Sequence, residues 1–364
     1  MTNNAVFNPE WASPPGATIA DILNERFWSP EEFARNMACT LNDASALLRS
    51  EQAISPQLAD KLAAVLGGSA AFWLKRQAQY GEAVAILANA EVESEAQHWL
   101  SQLPLQDMRR FGWIPRMSAG TSVLKACLEF FDVPDLNAWY ARYSRPLEMA
   151  AFRTSASFDS QIGSVAAWLR RGEIESASIE CKPWDADGFA TALFKIRPLT
   201  RKRNPLHFLP ELVRLCADSG VAVAIVRTTA GCRASGSTRF ITPTKASLML
   251  SFRYLSDDHF WFTFFHEAGH LILHGKKALF IEGDTISSAE ETEANEFAAR
   301  LLVPAEVESD LKHLPIERLA IRRFAKTVGV SPGIVLGQLQ YRGLARQNQL
   351  NSLKTRFKWS KKSD

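Results

Sequence analysis

The sequence predicts a mainly α-helical chain with one α+β unit in its second half and about five short helices near its N-terminus. Three observations carry that prediction. Capped amphipathic segments fill residues 14–80, and helical periodicity continues with longer spacers to about residue 220. The strand-like runs VAVAIVRT, STRFITP and SLMLSFRYL then cluster between residues 221 and 255. Behind them the pattern returns to helix.

Residues 1–15 are rich in Asn and Pro and read as loose. TIADILNERF places Ile19, Ile22 and Leu23 on one helical face. SPEEFARNMA offers Ser29 as N-cap, Pro30 at the first helical position and acids in the first turn, where they complement the helix dipole. TLNDASALLRS follows a tight turn at Cys39 and Thr40. ISPQLADKLAAVLGG starts again on Ser-Pro, at Ser55 and Pro56, and stops at Gly67 and Gly68. SAAFWLKRQAQY closes the set. LKACLEFFDV, LNAWYARYS and FDSQIGSVAAWLRRGEIES (158–176) are further helices, and PLHFLPELVRLCADSG (205–220) is one closed by Gly220. These patterns divide the chain into a five-helix domain at 14–82, a helical middle region at 83–199, an α+β domain at 200–345 and a basic tail at 346–364.

Composition narrows the classes. With 46% hydrophobic and 22% charged residues, the 364-residue chain reads as globular, not disordered. MTNNAVFNPEW has neither the basic start nor the apolar core of a signal peptide. No apolar run approaches the ~20 residues that span a bilayer. The five cysteines are scattered and form no CxxC pair, which argues against a disulfide framework or a thiolate metal site and for a reducing cytoplasm. Charge is uneven. Residues 1–85 hold six Lys/Arg and nine Asp/Glu, a net of −3, whereas residues 311–364 hold twelve and two, a net of +10. Attraction to a polyanion is therefore expected to be strongest at the C-terminal end.

The chemistry concentrates in WFTFFHEAGHLILHG, Trp261–Gly275. On a helix, His266 and His270 lie one turn apart on the same face and can offer ring nitrogens to one ion. Glu267 points to the adjacent sector, where it can reach a water without ligating the metal. Asp257 and Asp258 precede the helix and are expected to cap it, while Trp261, Phe262, Phe264 and Phe265 anchor it. A catalytic zinc takes a third protein ligand. SSAEETEANEFAARLLVP (287–304) supplies Glu291, with Asn295 one turn on to orient a ligand histidine; Glu290 and Glu293 compete on spacing alone. His274 is read as a rim residue. Arg253 and Tyr254 are read as structural, and no residue is singled out to stabilise an oxyanion.

HEAGHLILHG followed by EETEANEFAARLLVP resembles the ImmA/IrrE family of metallopeptidases, over residues ~200 to ~345. The family pattern is HExxH and then a helix of the form ExEAnxFAaxLLxP; Val303 before the proline is a conservative departure. The resemblance implies a zincin-like zinc-peptidase domain, with His266, His270 and Glu291 as zinc ligands and Glu267 as catalytic base. Zinc would lower the pKa of bound water to about 7, and Glu267 would pass the water proton to the leaving amine. The implied substrate is a protein of the repressor or antitoxin-like class.

FARNMACTLNDASALLRS fits a helix-turn-helix with Ala38 at the turn. With PPG at 14–16 and the closing SAAFWLKRQAQY, residues 14–80 resemble the HigA-type branch of XRE-family DNA-binding domains. The second helix offers Asn42, Ser45 and Arg49 to DNA, but also Asp43, and the same polar face suits a module that binds only protein. IRRFAKTVGVSPGIVLGQLQYRG (321–343) has helix-turn-helix spacing too, and LKTRFKWSKK mixes Phe357 and Trp359 with basic residues. That end either closes the peptidase domain or contacts nucleic acid. The whole reads as a cytoplasmic regulatory zinc endopeptidase, with no membrane partner. The competing reading is a DNA-binding transcription regulator or antitoxin whose peptidase-like domain is a sensor or scaffold.

Overall fold

The structure, a computed structural model, describes residues 13–116, 122–145, 161–275, 280–281 and 289–359. The first residues of two expected helices (158–160 and 287–288), the stretch 1–12 and the tail beyond Trp359 lie outside the described residues. Two units pack separately, Met1–His98 and Trp99–Asp364.

In the first unit, α1 (Pro15–Glu25), α2 (Pro30–Asn36), α3 (Leu41–Leu48) and α4 (Pro56–Leu66) share a core of Ile19, Phe33, Leu47, Leu62 and Trp73. Ser29 with Glu32, and Thr40 with Asp43, form capping boxes that start α2 and α3. Each box satisfies two backbone amides that the helix leaves without partners. Ala38 turns the chain between them at φ 50°, where a bulky or β-branched side chain would be strained. The next helix is not short. It runs 33 residues, Ala70–Gln102, because Gly81 is the only breaker before Pro104 and one glycine costs a helix only about 1 kcal/mol. Residue 82 therefore lies inside a helix.

The second unit is built on a sheet of order β1-β3-β2-β4. β1 (Val221–Ile225) runs parallel to β3 (Lys245–Leu250), and β2 (Gly236–Thr242) runs antiparallel to it. The fourth strand, β4 (Phe280–Ile281), pairs with β2 and was not expected; two residues carry no alternation to read. The strand period of two sorts side chains to opposite faces. Ala246, Leu248 and Leu250 join Val221, Val223, Phe208 and Trp261 on one side, and Met249 joins Ala224, Val226 and Trp168 on the other. Both faces are covered, which explains the nearly continuous apolar strands. The second face also collects Trp99, Phe131, Trp139 and Tyr143 from the region read only as helical. There the buried Glu173 carboxylate meets Arg142, Arg170 and Arg239 at 3.1, 2.9 and 2.6 Å, linking those helices to β2.

The C-terminal helix pair closes this unit. Helix Pro332–Tyr341 buries Ile334, Val335, Leu336 and Leu339, so it has no free face to enter a DNA groove despite its helix-turn-helix spacing. The tail aromatics are likewise consumed by packing. Phe357 is 7% exposed among Phe208, Phe252 and Phe260, and Trp359 lies against Phe252 with the Arg227 guanidinium over its ring. Phe357 thereby belongs to the core and has no free face for base stacking, while Trp359 is half-buried. No described helix is long and apolar enough to cross a membrane.

Candidate metal centre

The HExxH residues ride on helix Asp257–Leu273, the motif helix. Its N-cap is Ser256, without a side-chain cap bond. Contrary to the expectation from sequence, Asp257 and Asp258 do not cap it; they sit buried in the first turn and hold the tail. Lys354 Nζ lies 2.7 Å from Asp258, and the Thr355 amide and Ser331 hydroxyl donate to Asp257 at 2.8 and 2.7 Å. Burial pushes the Asp257 carboxyl up to about 6, against the lowering effect of those hydrogen bonds. Gly333 makes the approach possible, because a Cβ there would stand 2.8 Å from Asp257 Cγ.

Downstream, Trp261, Phe264 and Phe265 are fully buried and fix the helix in the core. They carry His266, Glu267 and His270 inside with them, at 1, 0 and 1% exposure. Helix Ala289–Leu302, the acidic helix, packs alongside through Ala294, Ala298 and Leu302. Glu291 points from it between the two histidines. One carboxylate oxygen is 3.2 Å from His266 Nε2, the other 3.2 Å from His270 Nε2, and the two ring nitrogens are 3.0 Å apart. Tetrahedral zinc with ligands at ~2.0–2.1 Å has edges of roughly 3.3 Å, so the donors already stand close to its spacing.

Protonation suits a cation as well. Asn295 Oδ1 lies 3.0 Å from His266 Nδ1. An amide oxygen can only accept, so Nδ1 carries the proton and Nε2 turns a lone pair to the site. Burial lowers the His270 pKa, opposed by the Glu291 carboxylate, and so favours the neutral ring that a metal needs. Burial works to raise Glu291, but when the two imidazoles are protonated their hydrogen bonds and charge bring it down to about 2. Among the described residues, His266, His270 and Glu291 are the group whose donor atoms converge, all within 4.8 Å.

Glu267 stands outside that group and faces β2. A Cβ on Gly236 would lie 2.7 Å from Glu267 Cγ and from Thr263 Cγ2, so only glycine lets the strand approach this carboxylate. Gly236→Ala is expected to destabilise the second unit by about 1–3 kcal/mol, the usual effect of overpacking, read as a lowered thermal midpoint.

Of the rival acids, Glu290 is exposed and Glu293 turns to His274, with 3.0 Å between Oε2 and Nε2. His274 is more than a rim residue. Its side chain is 8% exposed and its Nδ1 lies 3.1 Å from His270 Nδ1, a partnership that the i, i+4 spacing signalled and that the sequence reading passed over. The Arg253 guanidinium lies 4.9 Å from the Tyr254 ring centroid. In the first unit Asn42 and Arg49 are exposed and Ser45 is half-buried. Arg49 is engaged by Glu51, at 2.8 and 2.9 Å.

Residues 223–340 match the IrrE N-terminal-like domain, a peptidase family. The chain is also similar to an uncharacterized HTH-type transcriptional regulator, YddM, of Escherichia coli. The two are 41% identical over 63 residues, which is 17% of this chain and 67% of that protein.

Proposed function

Because residues 223–340 match the IrrE N-terminal-like peptidase domain and the chain also carries similarity to an HTH-type regulator, we propose that it is a regulatory zinc endopeptidase acting on a protein of the repressor or antitoxin-like class. The observation that carries this reading is the convergence of His266, His270 and Glu291 at 3.0–3.2 Å, with Glu267 beside them and outside the donor set.

In this reading His266 and His270 hold zinc through Nε2 and Glu291 through its carboxylate, while Asn295 fixes the ring of His266. Bound there, zinc supplies Lewis acidity that polarises the scissile carbonyl. Glu267 takes a proton from the attacking water and delivers it to the departing amide nitrogen. Burial of the site excludes bulk water and strengthens each of these charge interactions. A cytoplasmic setting is part of the proposal, supported by scattered cysteines that form no CxxC pair.

One observation favours the second reading, a regulator whose peptidase fold senses or scaffolds. Glu267 is 0% exposed, so a peptide reaches it only after the site opens. A reporter driven by the regulated genes separates the two readings. The peptidase requires both Glu267 and the metal, so Glu267→Gln and His266→Ala should fail alike; a response that survives Glu267→Gln but not His266→Ala identifies the scaffold.

DNA binding by the first unit has its own test. If Asn42, Ser45 and Arg49 read a site, the double variant Asn42→Ala with Arg49→Ala should abolish a footprint and leave zinc content unchanged. A contact made only by C-terminal basic residues would instead be independent of sequence and steeply weakened by salt.

A further inference from the structure

The two histidines of the proposed zinc site are held differently. His266 has Asn295 behind it. Behind His270 stands a chain of two groups: His270 Nδ1 is 3.1 Å from His274 Nδ1, and His274 Nε2 is 3.0 Å from Glu293 Oε2. We propose that His274 and Glu293 form a positioning pair that locks His270 in the tautomer and ring orientation with which it ligates the metal. The proposal rests on the metal reading above and adds to it residues that reading does not use.

Hydrogen-bond polarity carries the argument. Once His270 ligates through Nε2, its neutral ring keeps the proton on Nδ1. That N–H must donate, so His274 Nδ1 must accept. A neutral His274 then carries its own proton on Nε2, where it donates to Glu293, and an ionised carboxylate can only accept. Each link fixes the next, and the chain has a single direction, from the metal-facing ring outward. No group in it has to change its protonation.

The packing places the pair for this purpose. His270 and His274 are one turn apart on the motif helix, on the face that meets the acidic helix. His274 lies just beyond the last turn, yet its side chain is 8% exposed, while Glu293 beside it is 62% exposed. The acidic helix therefore supplies three groups with three addresses: Glu291 to the space between the ligand rings, Asn295 to His266 and Glu293 to His274. A hydrogen-bond acceptor behind a ligating imidazole restrains ring rotation and raises its basicity, and losing one typically weakens metal binding by 10–100-fold.

The test measures zinc affinity of the full chain by competition with a chromophoric chelator, with circular dichroism to check the fold. His274→Ala is expected to weaken zinc by about 10–100-fold. His274→Asn, whose Oδ1 stands near the position of Nδ1, is expected to recover most of that loss, and Glu293→Gln to weaken zinc by a smaller factor. Nitrogen-15 spectra of histidine-labelled, zinc-loaded protein should show the His270 Nδ1 proton protected from exchange in the wild type and in His274→Asn, and lost in His274→Ala. A zinc affinity of His274→Ala within about twofold of the wild type overturns the proposal. So does equal weakening by the Ala and Asn variants, which would reveal lost packing and not a lost acceptor. If His274→Ala does not fold, Glu293→Gln decides, and unchanged affinity together with unchanged proton exchange in it overturns the proposal. Retention of full zinc by His266→Ala would instead sink the metal reading itself, so the two failures are distinguishable.

Discussion

Glu267→Gln is expected to retain zinc and the fold while losing peptide cleavage by ~10²–10⁴-fold, the range that general-base catalysis supplies. Gln keeps the size of the side chain, and the amide fits the same space against Gly236 and Thr263. It cannot accept and pass on a proton. Because the Glu267 carboxylate lies outside the three-donor group, the change should leave metal content untouched. The measurement is a rate of proteolysis on a candidate regulator, paired with zinc analysis of the same sample. Undiminished cleavage by the Gln variant would remove the peptidase reading.

The second large effect concerns the metal. Wild-type protein is expected to hold one zinc per chain and to gain thermal stability when zinc is added, since an ion that binds only the folded state shifts the midpoint upward by mass action. His266→Ala and His270→Ala should each lose the ion and that response. Two remaining donors cannot enclose zinc, whose catalytic sites are held by three protein ligands. Glu291→Ala should also weaken zinc, far more than Glu293→Gln does, because Glu291 reaches both rings at 3.2 Å while Glu293 touches only His274. Undiminished zinc in both histidine variants would show that the ion, if present, is held elsewhere. The pH dependence follows from the same groups. Burial lowers the His270 pKa, so its ring stays neutral to lower pH than a free imidazole. Zinc should therefore persist below the usual titration range of histidine and be released only when acid protonates the ring.

Much of the site was legible because its spacing is local. HExxH puts His266 and His270 on one face by helix geometry alone, and Glu291 with Asn295 by the same rule on a second helix. The caps at Ser29 and Thr40 were readable for a similar reason, since each depends on residues three apart. Segments whose fate depends on distant partners stayed open between two readings. IRRFAKTVGVSPGIVLGQLQYRG carries helix-turn-helix spacing, but whether its second helix faces DNA or a core is decided by what packs against it. Phe357 and Trp359 look like stacking residues beside Lys and Arg until the tail returns to the start of the motif helix.

The sequence by itself determined the helical class, the turn at Ala38, the strand cluster after residue 220 and the residue types that can hold and serve a metal. Periodicity, capping chemistry and i, i+4 spacing act over a few residues, where backbone geometry leaves few choices. Only the tertiary structure decided which acid meets which histidine. Glu291 and Glu293 differ by two positions on one helix, and the packing of that helix on the motif helix turns the first toward the His266 and His270 rings and the second toward His274. It also decided that Asp257 and Asp258 anchor a tail about a hundred residues away instead of capping their own helix. Burial is the physical reason. Once carboxylates leave water they need specific partners, and long-range packing, not local propensity, determines which partners come within reach.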